Sequence, residues 1–196
     1  MLKIEYIWRE LLYKAIEEGN PYFTITELAR KFHLSTSVVS HATSPLRDLN
    51  IVEIGKIKSK VIDSEKLLFF WATRRSLKKD VIYQTRSPLS VFEREALMPA
   101  DIVPTAYSAC RLYFNLLPSD YEKVYFYGDD LEEIEKRFPK NTREANIFIL
   151  KKDPFLALYK KNPMGQIFAD LWNLPDWYAK EFQEALLEKI KERIGL

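Results

Sequence analysis

Between Ile4 and Asp63 the chain packs three short apolar periodicities and two β-like runs between closely spaced breaks, and this run constrains the fold more than any other feature. Ile4, Ile7, Trp8, Leu11, Leu12, Ala15 and Ile16 form a helical stripe over 3–18. Gly19-Asn20-Pro21 ends it, because Gly and Asn tolerate a left-handed cap and Pro cannot continue a helix. Thr26 is placed to cap a second helix, Glu27 to Phe32. The break His33-Leu34-Ser35 leads to a third helix from Thr36 to Leu49, with Val39, Ala42 or Thr43, Leu46 and Leu49 facing inward. Pro45 removes a backbone hydrogen bond from that helix at a cost of ~3 kcal/mol, so a kink or an end to the regular part is expected near Thr43. Asn50 suits the left-handed exit. Ile51 to Ile54 then reads as a strand, Gly55 to Ser59 as a tip and Lys60 to Asp63 as a returning strand.

Helix, helix, short turn, helix and β-hairpin is the order of a winged helix-turn-helix. The pattern Leu34-Ser35-x-Ser37-x-Val39-Ser40, followed by Leu46-x2-Leu49-Asn50-Ile51-Val52, resembles the core of MarR-like and related winged-helix regulators. That resemblance implies a recognition helix on duplex DNA, with a wing beside it. Charge agrees in sign. Residues 1–79 hold 14 Lys and Arg against 9 Asp and Glu, whereas 80–196 hold 16 against 19. A basic segment followed by a mildly acidic one suggests that the first part meets a polyanion.

The candidate DNA-binding residues follow from this register. Ser35 opens the third helix, and Thr36, Ser37, Ser40, His41, Thr43, Ser44 and Arg47 occupy its outward positions. Hydroxyls can reach phosphates or base edges, and Arg47 can reach a phosphate or a guanine. In the wing, Lys56, Lys58 and Lys60 alternate, so strand geometry would put all three on one face and Ile57 on the other. A protein-binding use of the same module is the bland alternative, as is solubility for the lysines. Arg74, Arg75, Lys78 and Lys79 form a second basic cluster, open between phosphate contact and a solvated helix end.

Residues 64–79 read as a helix capped by Ser64, and the Phe69-Phe70-Trp71 run must meet a second surface, in the C-terminal domain or in a partner protomer. The predicted boundary falls here, giving domains 1–79 and 80–196. Beyond it, strands at Val81 to Tyr83, Val124 to Tyr127 and Ile147 to Leu150 alternate with helices at Pro88 to Met98 (opened by Ser87), at Thr105 to Asn115, and from a cap at Asp129 to before Pro139. Two helices, Pro163 to Leu174 and Asp176 to Ile194, close the chain. The expected fold class is α/β (α+β overall): an N-terminal winged helix-turn-helix, then a small C-terminal α/β domain with a terminal helix pair.

Three C-terminal strings carry a second resemblance. They are Pro104-Thr105-Ala106 opening a helix, Lys123-Val124-Tyr125-Phe126-Tyr127 with Leu131-x2-Ile134-x3-Phe138, and Pro163-Met164-Gly165-Gln166-x3-Asp170-Leu171-Trp172. Together they resemble the regulators of AbiEi-like type IV toxin–antitoxin systems. The resemblance implies a DNA-binding autorepressor that opposes a nucleotidyltransferase-type toxin. An interaction module with DNA binding secondary is the alternative, and a homodimer reading paired half-sites stays open.

Composition argues against most chemistry. One cysteine, Cys110, and two histidines, His33 and His41, leave no disulfide and no nitrogen–sulfur metal set. Five glycines offer neither a P-loop nor GxGxxG, and no Gly-Ser pair begins a nucleotidyltransferase motif. Gly128-Asp129-Asp130 invites a magnesium reading, but helix capping explains it with fewer assumptions. No catalytic residue, metal or cofactor is expected. The stretch MLKIEYIWRE has no apolar signal core, and no run approaches the roughly 20 apolar residues of a membrane span, so a soluble cytoplasmic protein without a membrane partner is expected. Nineteen Lys and 18 Glu against 3 Gln give a thermophile-like composition.

Overall fold

The computed structural model describes residues 1–195 and is a mixed α and β structure with two small sheets. Helix α1 (Lys3–Ile16) is followed by a two-residue strand β1 (Tyr22–Phe23), α2 (Ile25–Lys31) and α3 (Thr36–Asp48). Strands β2 (Val52–Glu53) and β3 (Ser59–Val61) then lead to α4 (Ser64–Ala72). β1 and β2 flank β3, both antiparallel to it. Gly19, His33 and Asn50 carry positive φ where the chain leaves α1, α2 and α3.

The second half contains β4 (Val81–Thr85), α5 (Val91–Ala96), β5 (Val103–Thr105), α6 (Ala106–Phe114), β6 (Val124–Gly128), α7 (Glu132–Arg137) and β7 (Ile147–Lys151). It closes with α8 (Met164–Trp172) and α9 (Ala179–Ile194). The sheet order is β4-β7-β6-β5, with β6 and β7 parallel and both outer strands antiparallel to their neighbours. Phe182, Leu186 and Ile190 of α9 are buried, and that face packs on α8. Cys110 is fully buried in α6, and burial pushes its thiol pKa up.

Several local expectations change. The second helix begins two residues earlier than Thr26 suggests, because the Thr24 side chain accepts from Glu27 N–H at 3.1 Å. Helix α3 runs through Pro45 to Asp48 instead of ending its regular part near Thr43. Leu49 is its C-cap and is 43% exposed, so it does not face inward. Asp63, not Ser64, caps α4, accepting from Lys66 N–H at 2.8 Å. That helix stops at Ala72, and a 3₁₀ turn over Leu77–Asp80 carries Lys78 and Lys79. Ser90, not Ser87, opens α5 through a reciprocal box with Glu93. Asp129 does not cap α7; instead the Asp130 carboxylate accepts from Glu132 N–H at 2.9 Å.

The core is continuous across the 79/80 boundary. Helix α1 is buried on several faces, with α3 and α4 against one part and α8 and α9 against another. Phe69 meets the rings of Phe168 (5.6 Å) and Trp172 (5.4 Å), so part of the aromatic run packs on the C-terminal half. Phe70 stacks edge-on against Trp8, and Trp71 Nε1 donates to Glu5 at 3.0 Å. A Cβ at Gly165 would meet the Leu12 side chain at 2.9 Å, so glycine is what allows α8 to approach α1 this closely.

Charged groups are buried in the same seam. Arg9 makes a two-pronged pair with Asp153 at 2.6 and 2.8 Å and donates to Gln166 Oε1 at 2.9 Å. Arg75 donates to Asp170 at 3.0 Å and pairs with Asp80 at 2.6 Å. Asp170 also accepts from Tyr127 (2.5 Å) and Thr105 (2.7 Å). Burial raises the pKa of Asp170 despite the opposing pull of Arg75 and these donors.

Candidate nucleic-acid interface

The third helix presents two unlike faces. Val39, Ala42, Thr43 and Leu46 are buried, and Trp8 Nε1 ties α1 to the helix by donating to the Ala42 carbonyl at 2.9 Å. On the other side Thr36, Ser37, Ser40, His41 and Arg47 are exposed and Ser44 is half-buried. Thr36, Ser40, Ser44 and Arg47 follow the three-to-four spacing that lines up one strip of a helix, with Ser37 and His41 beside it. Ser35 is spent on structure: its hydroxyl accepts from Val38 N–H at 3.3 Å as the N-cap.

Two expected contacts need revision. Thr43 is only 2% exposed, and its hydroxyl donates to the Val39 (3.0 Å) and Ser40 (3.2 Å) carbonyls. It therefore belongs to the packed side and offers nothing to a ligand. Arg47 is exposed but engaged with the adjacent Asp48 carboxylate at 2.9 Å and with Ser44 at 3.4 Å.

In the hairpin, strand pairing covers only Val52–Glu53 and Ser59–Val61, so the alternation expected for all three lysines does not rest on strand geometry. The tip is an irregular tight turn, where a Cβ at Gly55 would collide with the Lys58 carbonyl. Lys56, Lys58 and Lys60 are all exposed, and among the described residues none forms an ion pair. Ile57 at the tip is 92% exposed.

The sequence reading missed Tyr22. It lies opposite Lys60 in the β1–β3 ladder, and its ring holds the ammonium groups of Lys58 at 4.1 Å and Lys60 at 5.8 Å. The available signal was Pro21-Tyr22-Phe23 before a Thr cap, a run short enough to pass for part of the turn. Glu53 also faces Lys60 across the ladder and tempers the local positive charge.

The second basic cluster is not one surface. Arg75 is buried in the Asp170 network, Arg74 lies over the Phe70 ring at 3.7 Å, and Lys78 and Lys79 stand exposed on the 3₁₀ turn. Asp129 and Asp130 are exposed after β6, and among the described residues no group of three or more His, Cys, Asp or Glu is placed to hold a metal ion. No helix among the described residues is long and apolar enough to cross a membrane. Comparison with models of known protein families, with curated proteins and with solved structures found no match to this chain.

Proposed function

We propose that residues 1–79 act as a winged helix-turn-helix on duplex DNA and that the chain is a transcriptional regulator acting on its own promoter. The observation that carries this reading is the two-faced α3: an apolar side locked onto α1 and a polar strip of Thr36, Ser40, Ser44 and Arg47 left to solvent. A hairpin with three exposed lysines follows it in the chain. In this reading α3 enters the major groove, where hydroxyls and a guanidinium suit base edges and phosphates, and the wing lysines neutralise flanking phosphates. Ser35 fixes the start of the helix by taking the Val38 N–H, leaving those of Thr36 and Ser37 for a backbone phosphate.

The test is a titration of the whole protein against the duplex upstream of its own gene and against random duplex, at two salt concentrations. Preferential, salt-sensitive binding to the upstream duplex is expected. Absence of binding to either duplex at low salt overturns the reading.

A further inference from the structure

On the sheet of the C-terminal half, one face is left partly uncovered beside β4. A groove of about 680 Å³ opens there, within the size range of small-molecule sites. Its floor is a row across three strands. Gln84 of β4 lies opposite Phe148 of β7, which lies opposite Tyr125 of β6, and the two rings stack at 4.7 Å and 10°. Ile82, at the bulge between Val81 and Tyr83, lines the same groove as Gln84 and is 40% exposed. The α8–α9 connection, through Leu174, forms one wall.

The ionised side chains lining the groove are all cationic: Lys78, Lys123 and Lys140. Lys123 pairs with Asp176 at 2.7 Å, whereas Lys78 and Lys140 are exposed and have no ion-pair partner among the described residues. Their placement follows from the strands. Lys78 precedes β4 at its Val81 end. Lys140 follows Pro139, whose carbonyl accepts from Thr85 Oγ1 at 2.8 Å, so it marks the other end. Lys123 directly precedes β6 at that same end, since Val124 and Thr85 both pair with Ile147. An apolar, aromatic floor with cations at both ends and an exposed amide between them is complementary to a ring that carries negative charge.

We propose that this groove binds an aromatic anion of nucleoside-phosphate size. The ring lies over Phe148 and Ile82, Gln84 hydrogen-bonds its edge, and the anionic group sits at Lys140, with Lys78 able to take a second charge. Two sources share this chemistry, a nucleoside monophosphate and an aryl carboxylate.

Calorimetric titration of the full chain, without DNA, tests the proposal with adenosine and guanosine monophosphate, indole-3-acetate and inorganic phosphate. Saturable binding of a nucleotide or of the aryl carboxylate, tighter than that of phosphate, is expected, and which of the two binds identifies the source. Lys78→Ala with Lys140→Ala should weaken it by roughly tenfold or more, equivalent to about 1.4 kcal/mol, and Lys78→Arg with Lys140→Arg should retain it. Phe148→Leu should erase the advantage of the aromatic anions over phosphate; circular dichroism verifies that each variant is folded. The proposal is overturned by no saturable binding of any aromatic anion at millimolar concentration. It is equally overturned by unchanged affinity in the Ala pair, or by phosphate binding as tightly as the ring compounds. Because no DNA is present, none of these outcomes depends on the function assigned to α3.

Discussion

The cations of this protein divide into two populations of the same chemical kind. Arg9 and Arg75 lie in the seam between α1, α4 and the C-terminal half, almost without solvent, each held by carboxylates. Arg47, Lys56, Lys58 and Lys60 lie on α3 and the hairpin, exposed, and the three lysines are without carboxylate partners among the described residues. A charge removed from water must be answered inside the protein or it destabilises the fold, whereas an unanswered charge at the surface costs little and remains free for a ligand. Burial with a carboxylate partner marks Arg9 and Arg75 as architecture, exposure without one marks the three lysines as candidates for a ligand, and Arg47, exposed but paired with Asp48, stands between.

The strongest break in that contrast is Asp170→Asn. It leaves Arg75 facing Asp80 and Glu5 with one charge fewer in a closed site, and should cost about 3 kcal/mol, near the low end for a broken buried pair because those two carboxylates remain. Urea denaturation measures it; a loss under about 1 kcal/mol would show that Asp80 and Glu5 alone satisfy Arg75. The opposite arm is the triple change of Lys56, Lys58 and Lys60 to Ala. Stability should move by less than about 0.5 kcal/mol, while the dependence of DNA affinity on salt flattens by up to about 3 units. An unchanged salt slope removes the wing from the interface.

Glu17 tests a third site at the seam. Its Oε1 accepts from Met164 N–H at 2.6 Å at the start of α8, and its Oε2 is buried without a hydrogen-bond partner. Burial outweighs that bond and the pull of Arg193, pushing the pKa from 4.5 to about 7. The folded state therefore holds this proton more tightly than the unfolded chain, so the contribution to stability is full below pH 4.5 and falls as pH rises to about 7. Glu17→Gln should abolish that fall and stabilise the protein above pH 7 by on the order of 2 kcal/mol, read from urea midpoints across the pH range. A pH profile identical to that of the parent would place the titration elsewhere. The smallest effect is expected at Arg47→Ala: about 1 kcal/mol of DNA affinity, at the low end for a base contact because Asp48 already engages the guanidinium. Loss at one base position marks a base reader, and a uniform loss over all sequences marks a phosphate contact.

What the sequence made legible was local. The stripe of α1, the start of α3, Asn50 in the left-handed region and the strand cores at 81–83, 124–127 and 147–150 follow from periodicity and turn chemistry that neighbouring residues settle among themselves. Helix starts slipped because two hydroxyl residues compete within a few positions, as Thr24 and Thr26 do, and a cap is decided by which oxygen reaches the N–H three residues on. The span 64–79 is too long for α4, which stops at Ala72, because Lys78-Lys79 suit a helix C-terminus and no Gly or Pro marks an earlier end. Arg75 is instead drawn inward by Asp170, 95 residues away, a partner that no local pattern can reveal. Thr43 shows the same blindness on a smaller scale, since a hydroxyl can be outward and free or inward and bonded to its own helix. For the candidate interface, the outward strip of α3 is legible, apart from Thr43, and the aromatic support that Tyr22 gives the hairpin lysines is not.

The bidentate clasp of Arg9 on Asp153 has a consequence for how this protein can be divided. Arg9 belongs to the first helix and Asp153 to the last third of the chain, and the ring of Tyr159 lies 5.0 Å from the same guanidinium. A cut at 79/80 would separate Arg9 from Asp153 and Arg75 from Asp170 and Asp80, leaving Arg75 only Glu5, and would open the shared apolar seam to water. The first 79 residues are therefore expected to lose stability when grafted alone onto another protein. The polar strip of α3 and the groove on the far sheet rest on one continuous core, so a change in the seam reaches both.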